Sequence, residues 1–161
     1  MIDLRKQFIT ELISLREQDN AVRLLVIDVG YSFAEPFIQK FPESIINTGT
    51  IEQSAVGIAA GMAMGGLKPY VYTVVNFLVF RAYEQIRNDI AYQNTNVKLI
   101  GVRGKESYKF LGFSHNITKD EDRKVLEVMP NIRIAMPRTE QALHIVMRAS
   151  YENKLPTYIR L

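Results

Sequence analysis

The stretch 69–102, PYVYTVVNFLVFRAYEQIRNDIAYQNTNVKLIGV, decides the fold. Pro69 to Val75 is dense in β-branched and aromatic residues and reads as a strand. Phe77 to Gln93 carries Phe80, Tyr83, Ile86 and Ile90 at helical spacing and reads as a helix. Val97 to Val102 is short and apolar, a second buried strand. Strand, helix and strand in this order form a βαβ unit, which specifies parallel pairing.

The alternation continues on both sides. Upstream, Leu4, Phe8, Leu12 and Leu15 mark a helix, and Arg23 to Asp28 (RLLVID) a buried strand. Ser32 is placed to cap a short helix running through Phe37 and Phe41. Ile45 and Ile46 suggest a short strand ending in Asn47-Thr48-Gly49. Glu52 to Met64 is small, apolar and helix-like, and Gly65-Gly66 ends it. Downstream, 104–118 is a polar and aromatic loop. Helix is expected from Asp120 to Val128, strand from Ile132 to Met136, helix from Thr139 to Tyr151 and strand from Thr157 to Leu161. The expected fold is α/β, a three-layer open and mainly parallel sheet with helices on both faces. Residues 1–161 are expected to form one domain.

Bulk properties exclude several classes. A net charge of +3 with scattered Lys and Arg gives no nucleic-acid or membrane patch. With no Cys there is no disulfide, thiol nucleophile or Cys-based metal site, which is compatible with a reducing cytoplasm. The N-terminus MIDLRKQFITEL reads as an amphipathic helix, not a signal peptide, and no apolar run reaches membrane-spanning length. In a parallel sheet, ligands bind beyond the carboxyl ends of the strands. The loops after Asp28, Thr48, Val75 and Val102 therefore share one candidate rim.

Those loops carry a family resemblance. INTGTIEQSAVGIAAGMAMGGLKPYVYT (46–73) is similar to the transketolase-family signature around its catalytic glutamate, and NFLVFRAYEQIRNDIAYQNTNVKLIG (76–101) continues it without a gap. LLVIDVGYS (24–32) resembles the family's first strand and turn. The resemblance covers essentially the whole chain, but only the family's pyrimidine-binding domain. The Gly-Asp-Gly motif of the diphosphate-binding domain does not occur, and the third, C-terminal domain has no counterpart.

The resemblance implies thiamine diphosphate as cofactor. Glu52 would hydrogen-bond a ring nitrogen of its pyrimidine, favouring the imino tautomer that takes the thiazolium proton. By spacing alone Glu52 is equally a helix N-terminal carboxylate stabilised by the dipole. Phe77, Phe80 and Tyr83 match the aromatic pocket residue by residue, Phe80 being assigned the stacking ring; by periodicity alone they are core residues. Asp28 and Ser32 match a turn facing cofactor and substrate, although Asp and Ser are also ordinary turn and cap residues. His115, in GFSHN, corresponds to a histidine that contacts the reacting sugar hydroxyls. His144 lies mid-helix and is given no role.

Three departures bear on the substrate. Phe110 and Leu111 stand where the family has an acidic pair, and Phe113 replaces a proline, so this wall is apolar. Arg103 stands where the family has a histidine and is a candidate anion binder. Met136 replaces a phosphate-clamping arginine, a role Arg103 or Arg138 would then take. These changes suggest an unusual sugar or a keto acid.

The implied partners are a separate diphosphate-binding subunit, which would hold Mg²⁺ or Ca²⁺, and a second copy of this chain, in an α2β2 complex. The alternatives are the β subunit of a 2-oxo acid dehydrogenase or decarboxylase, and a non-catalytic assembly subunit.

Overall fold

In the computed structural model, residues 3–30, 32–102 and 109–161 are described. The elements run α1 (Leu4–Gln18), β1 (Val22–Val26), α2 (Glu35–Lys40), β2 (Ile45–Asn47), α3 (Glu52–Met64) and β3 (Lys68–Val74). Two π-helical segments, Phe77–Arg81 and Ile86–Tyr92, flank the short α4 (Tyr83–Gln85). Then come β4 (Lys98–Val102), α5 (Glu121–Leu126), β5 (Arg133–Ala135), α6 (Glu140–Asn153) and β6 (Thr157–Arg160). The strands form one sheet in the order β2-β1-β3-β4-β6-β5, and every pairing is parallel.

Alternation along the strands divides the core into two layers. Leu25, Ile27, Val71, Leu99 and Tyr158 face α3, the segment around α4, and α5. Leu24, Val26, Tyr70, Tyr72, Ile100 and Ile159 face α1, α2 and α6. The expected three-layer architecture is thus observed, and strand positions agree with the sequence reading to within about two residues. The helix ends explain themselves locally. Asp3 caps α1 by accepting from the Arg5 amide at 3.2 Å, and Thr139 caps α6 by accepting from Ala142 at 3.1 Å. The small residues Ala55, Val56, Ala59 and Ala60 bury one side of α3.

Two local expectations are corrected. Ser32 does not cap a helix. The Gly30 carbonyl accepts from the amides of Phe33 and Ala34 at 3.3 and 3.0 Å, so backbone closes the turn. The helix starts later, at Glu35, with no side-chain cap. The second correction concerns 77–93, which is not one α-helix. Ala82, fully buried in the core, sits at φ −103°, ψ 23° and interrupts the ladder. The turns on both sides widen to π geometry, a form often found at functional sites.

Candidate active site

The chain leaves β1 toward β2 on one side and returns to β3 on the other. This is a topological switch point, and a crevice opens beyond the carboxyl ends of the diverging strands. The turns after β1, β2 and β3 meet there. Asn47 stitches the first two: its Oδ1 accepts from the amides of Asp28 at 3.3 Å and Gly49 at 3.0 Å. The Thr48 amide donates to the Val26 carbonyl at 3.0 Å. Gly49 takes a positive φ of 70°, and the chain then enters α3 at Glu52.

Glu52 is the first residue of α3 and is 5% exposed. Its Oε1 accepts from Arg81 Nη1 at 2.9 Å. The Arg81 guanidinium lies over the Phe77 ring, 3.8 Å from its centroid. Phe77 in turn meets the His115 ring edge-on, with centroids 4.9 Å apart and planes at 78°. Thus Glu52 and His115, far apart in sequence, are joined through Arg81 and Phe77. An open cleft of about 380 Å³ beside Glu52 is lined by Thr50, Ile51, Glu52, Gln53, Ser54 and Arg81.

The loop bearing His115 is held from below. Asn76, which is largely buried, donates through Nδ2 to the carbonyls of Phe113 at 3.2 Å and Asn116 at 2.9 Å. Ser114 Oγ lies 3.1 Å from the Leu111 carbonyl and 2.7 Å from His115 Nδ1. The hydroxyl has one proton. When it donates to Leu111 it accepts from Nδ1–H, which leaves Nε2 as the acceptor of the neutral imidazole.

The remaining candidates are dispersed. Phe80 is exposed and does not line the Glu52 cleft. Tyr83 points to α5, its hydroxyl donating to the Val125 carbonyl at 3.3 Å. Asp28 lies two residues beyond β1 in left-handed backbone, φ 48°, on the same rim. Ser32 lines a separate, smaller cleft of about 170 Å³ with Arg5, Phe33, Tyr72 and Val102, in the layer covered by α1. Arg103 lies outside the described residues. Met136 packs against the core, while Arg138 is exposed. His144 pairs with Glu11 at 2.9 Å. The sequence reading missed Asn47, Asn76 and Arg81. An Asn beside a Gly turn, and a cation within an aromatic run, were the available signals.

Over residues 1–161 the chain matches the family model described as transketolase, pyrimidine binding domain. It belongs to the transketolase pyrimidine-binding family. It is 38% identical over 126 residues to a subunit of the apulose-4-phosphate transketolase of Actinobacillus succinogenes, covering 78% of this chain and 40% of the relative. Identity to the protein of the same name from Phocaeicola vulgatus is 33%, covering 100% of this chain and 51% of the relative. A solved structure described as a split gene transketolase, inactive beta4 tetramer, superposes with a TM-score of 0.87 at 31% identity, over 100% of this chain and 51% of that one. The Campylobacter jejuni transketolase shares the fold, with a TM-score of 0.86 at 18% identity over 97% of this chain and 25% of that one. The chain spans about half the length of the curated split-type relatives it matches. Within this transketolase pyrimidine-binding domain, Phe110 and Phe113 are 82% and 85% exposed.

Proposed function

We propose that this chain is the pyrimidine-binding component of a split thiamine-diphosphate-dependent transketolase, and that Glu52 activates the cofactor. The observation that carries the reading is the seat at Glu52. A nearly buried carboxylate at the switch point holds a flat N–H donor that also lies against an aromatic face. That seat fits an aminopyrimidine, which offers the same flat, nitrogen-edged shape. When bound, thiamine diphosphate supplies the carbon nucleophile and electron sink that allow a bond beside a ketose carbonyl to break. Glu52 would hold the ring nitrogen and share its proton. Phe77 would wall the base against water, with Phe80 and Tyr83 following it along the same segment. His115, its ring set by Phe77 and Ser114, would exchange hydrogen bonds with substrate hydroxyls.

A second chain would supply the diphosphate half and its Mg²⁺ or Ca²⁺. Support comes from the two relatives named as single subunits of a transketolase, and from exposed apolar residues on and before α3: Ile51, Ile58 and Met64. A solved relative described as an inactive tetramer of β chains favours self-association with no activity when this chain is alone. The ketose donor to try first is apulose-4-phosphate, the compound in the names of two relatives. The apolar Phe110, Leu111 and Phe113 favour a substrate with few hydroxyls on that side.

Calorimetry with thiamine diphosphate and Mg²⁺ tests this. It is run on the chain, on a diphosphate-binding partner chain, and on their mixture, each with wild type and Glu52→Gln. Tight binding confined to the mixture, with donor cleavage lost in Glu52→Gln, is the expected result. A confirmed complex that binds no cofactor would replace this reading with an assembly role.

A further inference from the structure

Arg81 occupies the seat that the proposed function gives to the cofactor's base. Its side chain is 52% exposed, so water is available to it. Yet its head lies inward, with Nη1 2.9 Å from Glu52 Oε1 and the guanidinium carbon 3.8 Å from the Phe77 centroid. A guanidinium is planar and delocalised, carries its N–H bonds in the plane, and is weakly hydrated on its faces. A 4-aminopyrimidine is likewise flat, and a ring nitrogen that shares a proton with Glu52 presents an in-plane N–H to the same carboxylate. Both are read by a carboxylate at the edge and an aromatic ring on the face. Two such groups cannot lie on Phe77 and bond Glu52 at the same time.

We propose that Arg81 is a built-in occupant of the aminopyrimidine seat, and that the cofactor's base enters by displacing it. The proposal deepens the thiamine-diphosphate reading and rests on it. Displacement is open to Arg81 because half of the side chain already faces solvent. The competition lowers the apparent affinity of the lone chain by the fraction of molecules in which the seat is open. The base is then held firmly only when contacts elsewhere on the cofactor add to it. Cofactor capture is thereby tied to the assembled enzyme. Occupancy by Arg81 also keeps Glu52 from standing unpaired and desolvated before the cofactor arrives.

The test uses the 161-residue chain and the pyrimidine half of the cofactor, 4-amino-5-hydroxymethyl-2-methylpyrimidine, followed by amide chemical shifts. Wild type, Arg81→Ala, Glu52→Gln and the double variant are titrated. Arg81→Ala is expected to bind the fragment about three- to tenfold more tightly than wild type, in keeping with the worth of a half-exposed ion pair and a stacked ring. Glu52→Gln in the same background abolishes the gain. Guanidinium ion at about 0.1–0.3 M, against a matched sodium chloride control, competes with the fragment in Arg81→Ala and lowers its affinity toward the wild-type value. Equal or weaker binding by Arg81→Ala, with Glu52→Gln still weakening it, overturns the occupant role and leaves the Glu52 seat standing. Fragment shifts indifferent to Glu52→Gln, or absent from every variant, overturn the seat itself and the proposal with it. Thermal unfolding of each variant confirms that it is folded.

Discussion

Glu52 and Gly101 differ in what a single residue is asked to do. Glu52 is nearly buried, but its partner Arg81 can turn to water if the bond is lost. Glu52→Gln is therefore expected to change stability by less than about 1 kcal/mol, within the range of pairs with an exposed partner. In the assembled enzyme it is expected to lower turnover by more than about 100-fold, the scale of a lost proton-transfer partner. Urea unfolding and single-turnover assays on the same preparation separate the two effects. Gly101, in the middle of the sheet, carries no chemistry. A Cβ there would lie 2.8 Å from the Tyr158 hydroxyl oxygen and 2.9 Å from Val75 Cγ2, both in the core. The Tyr158 hydroxyl also donates to the fully buried Asp122 at 2.7 Å, and Arg160 bonds the same carboxylate at 2.8 Å. Gly101→Ala should cost about 1–3 kcal/mol by overpacking, read as a lower urea midpoint with an unchanged slope.

At the scale of elements, the 76–92 segment and the 109–116 loop act as one support. Asn76 pins the backbone on both sides of His115, and Phe77 sets the ring. Asn76→Ala removes both bonds and leaves the Phe113 carbonyl only the Asn116 amide at 3.4 Å, so it should cost about 1–2 kcal/mol and speed amide exchange from Phe113 to Asn116 while α1 and α6 stay protected. Unchanged exchange in that loop would show that other contacts hold it. What was legible here follows from the range of each interaction. Strands and helices repeat every two or three to four residues, so Pro69–Val75 and Val97–Val102 could be read directly. The interruption at Ala82 could not, because apolar spacing at Ile86 and Ile90 fits a π turn as well as an α turn. Asp28, Glu52, Phe77 and His115 were placed on one rim because a parallel sheet puts its turns there. Asn76 and Arg81 escaped notice because the carbonyls of Phe113 and Asn116, and Glu52 at the start of α3, are distant in sequence, and no local pattern encodes their meeting. Ser32 failed as a cap for a related reason: the Gly30 carbonyl had already taken the amides.

For the whole molecule, the two ends of the sheet carry different burdens. The carboxyl rim holds the candidate site, and the amino end holds groups whose titration is strongly displaced. Lys98 is 2% exposed, with Nζ donating to Asn96 Oδ1 at 2.6 Å and the Leu155 carbonyl at 2.7 Å. Burial first, and then the charge of Lys68, push its pKa from the ordinary 10.5 down to about 7. Nearby, burial acts to raise Asp19, but bonds from Lys68, the Ala21 amide and Tyr151 outweigh it and hold the carboxyl at about 2, below its ordinary 3.8. The signs follow from proton binding. Between about pH 7 and 10.5 the unfolded chain keeps a proton on Lys98 that the folded chain has released, so stability rises with pH across that window. Above about pH 10 the buried tyrosines Tyr70 and Tyr158, raised by burial, begin to oppose the rise. Asp19 contributes fully above pH 3.8, and its contribution is lost as pH falls through about 2. Urea unfolding from pH 2 to 9.5 should therefore show two slopes. Lys98→Met flattens the one above pH 7, and Asp19→Asn flattens the one below pH 4. A Lys98→Met chain that keeps its alkaline rise would mean that the lysine stays charged when folded, with a proton shared among the Asn96 and Leu155 oxygens strong enough to offset its burial.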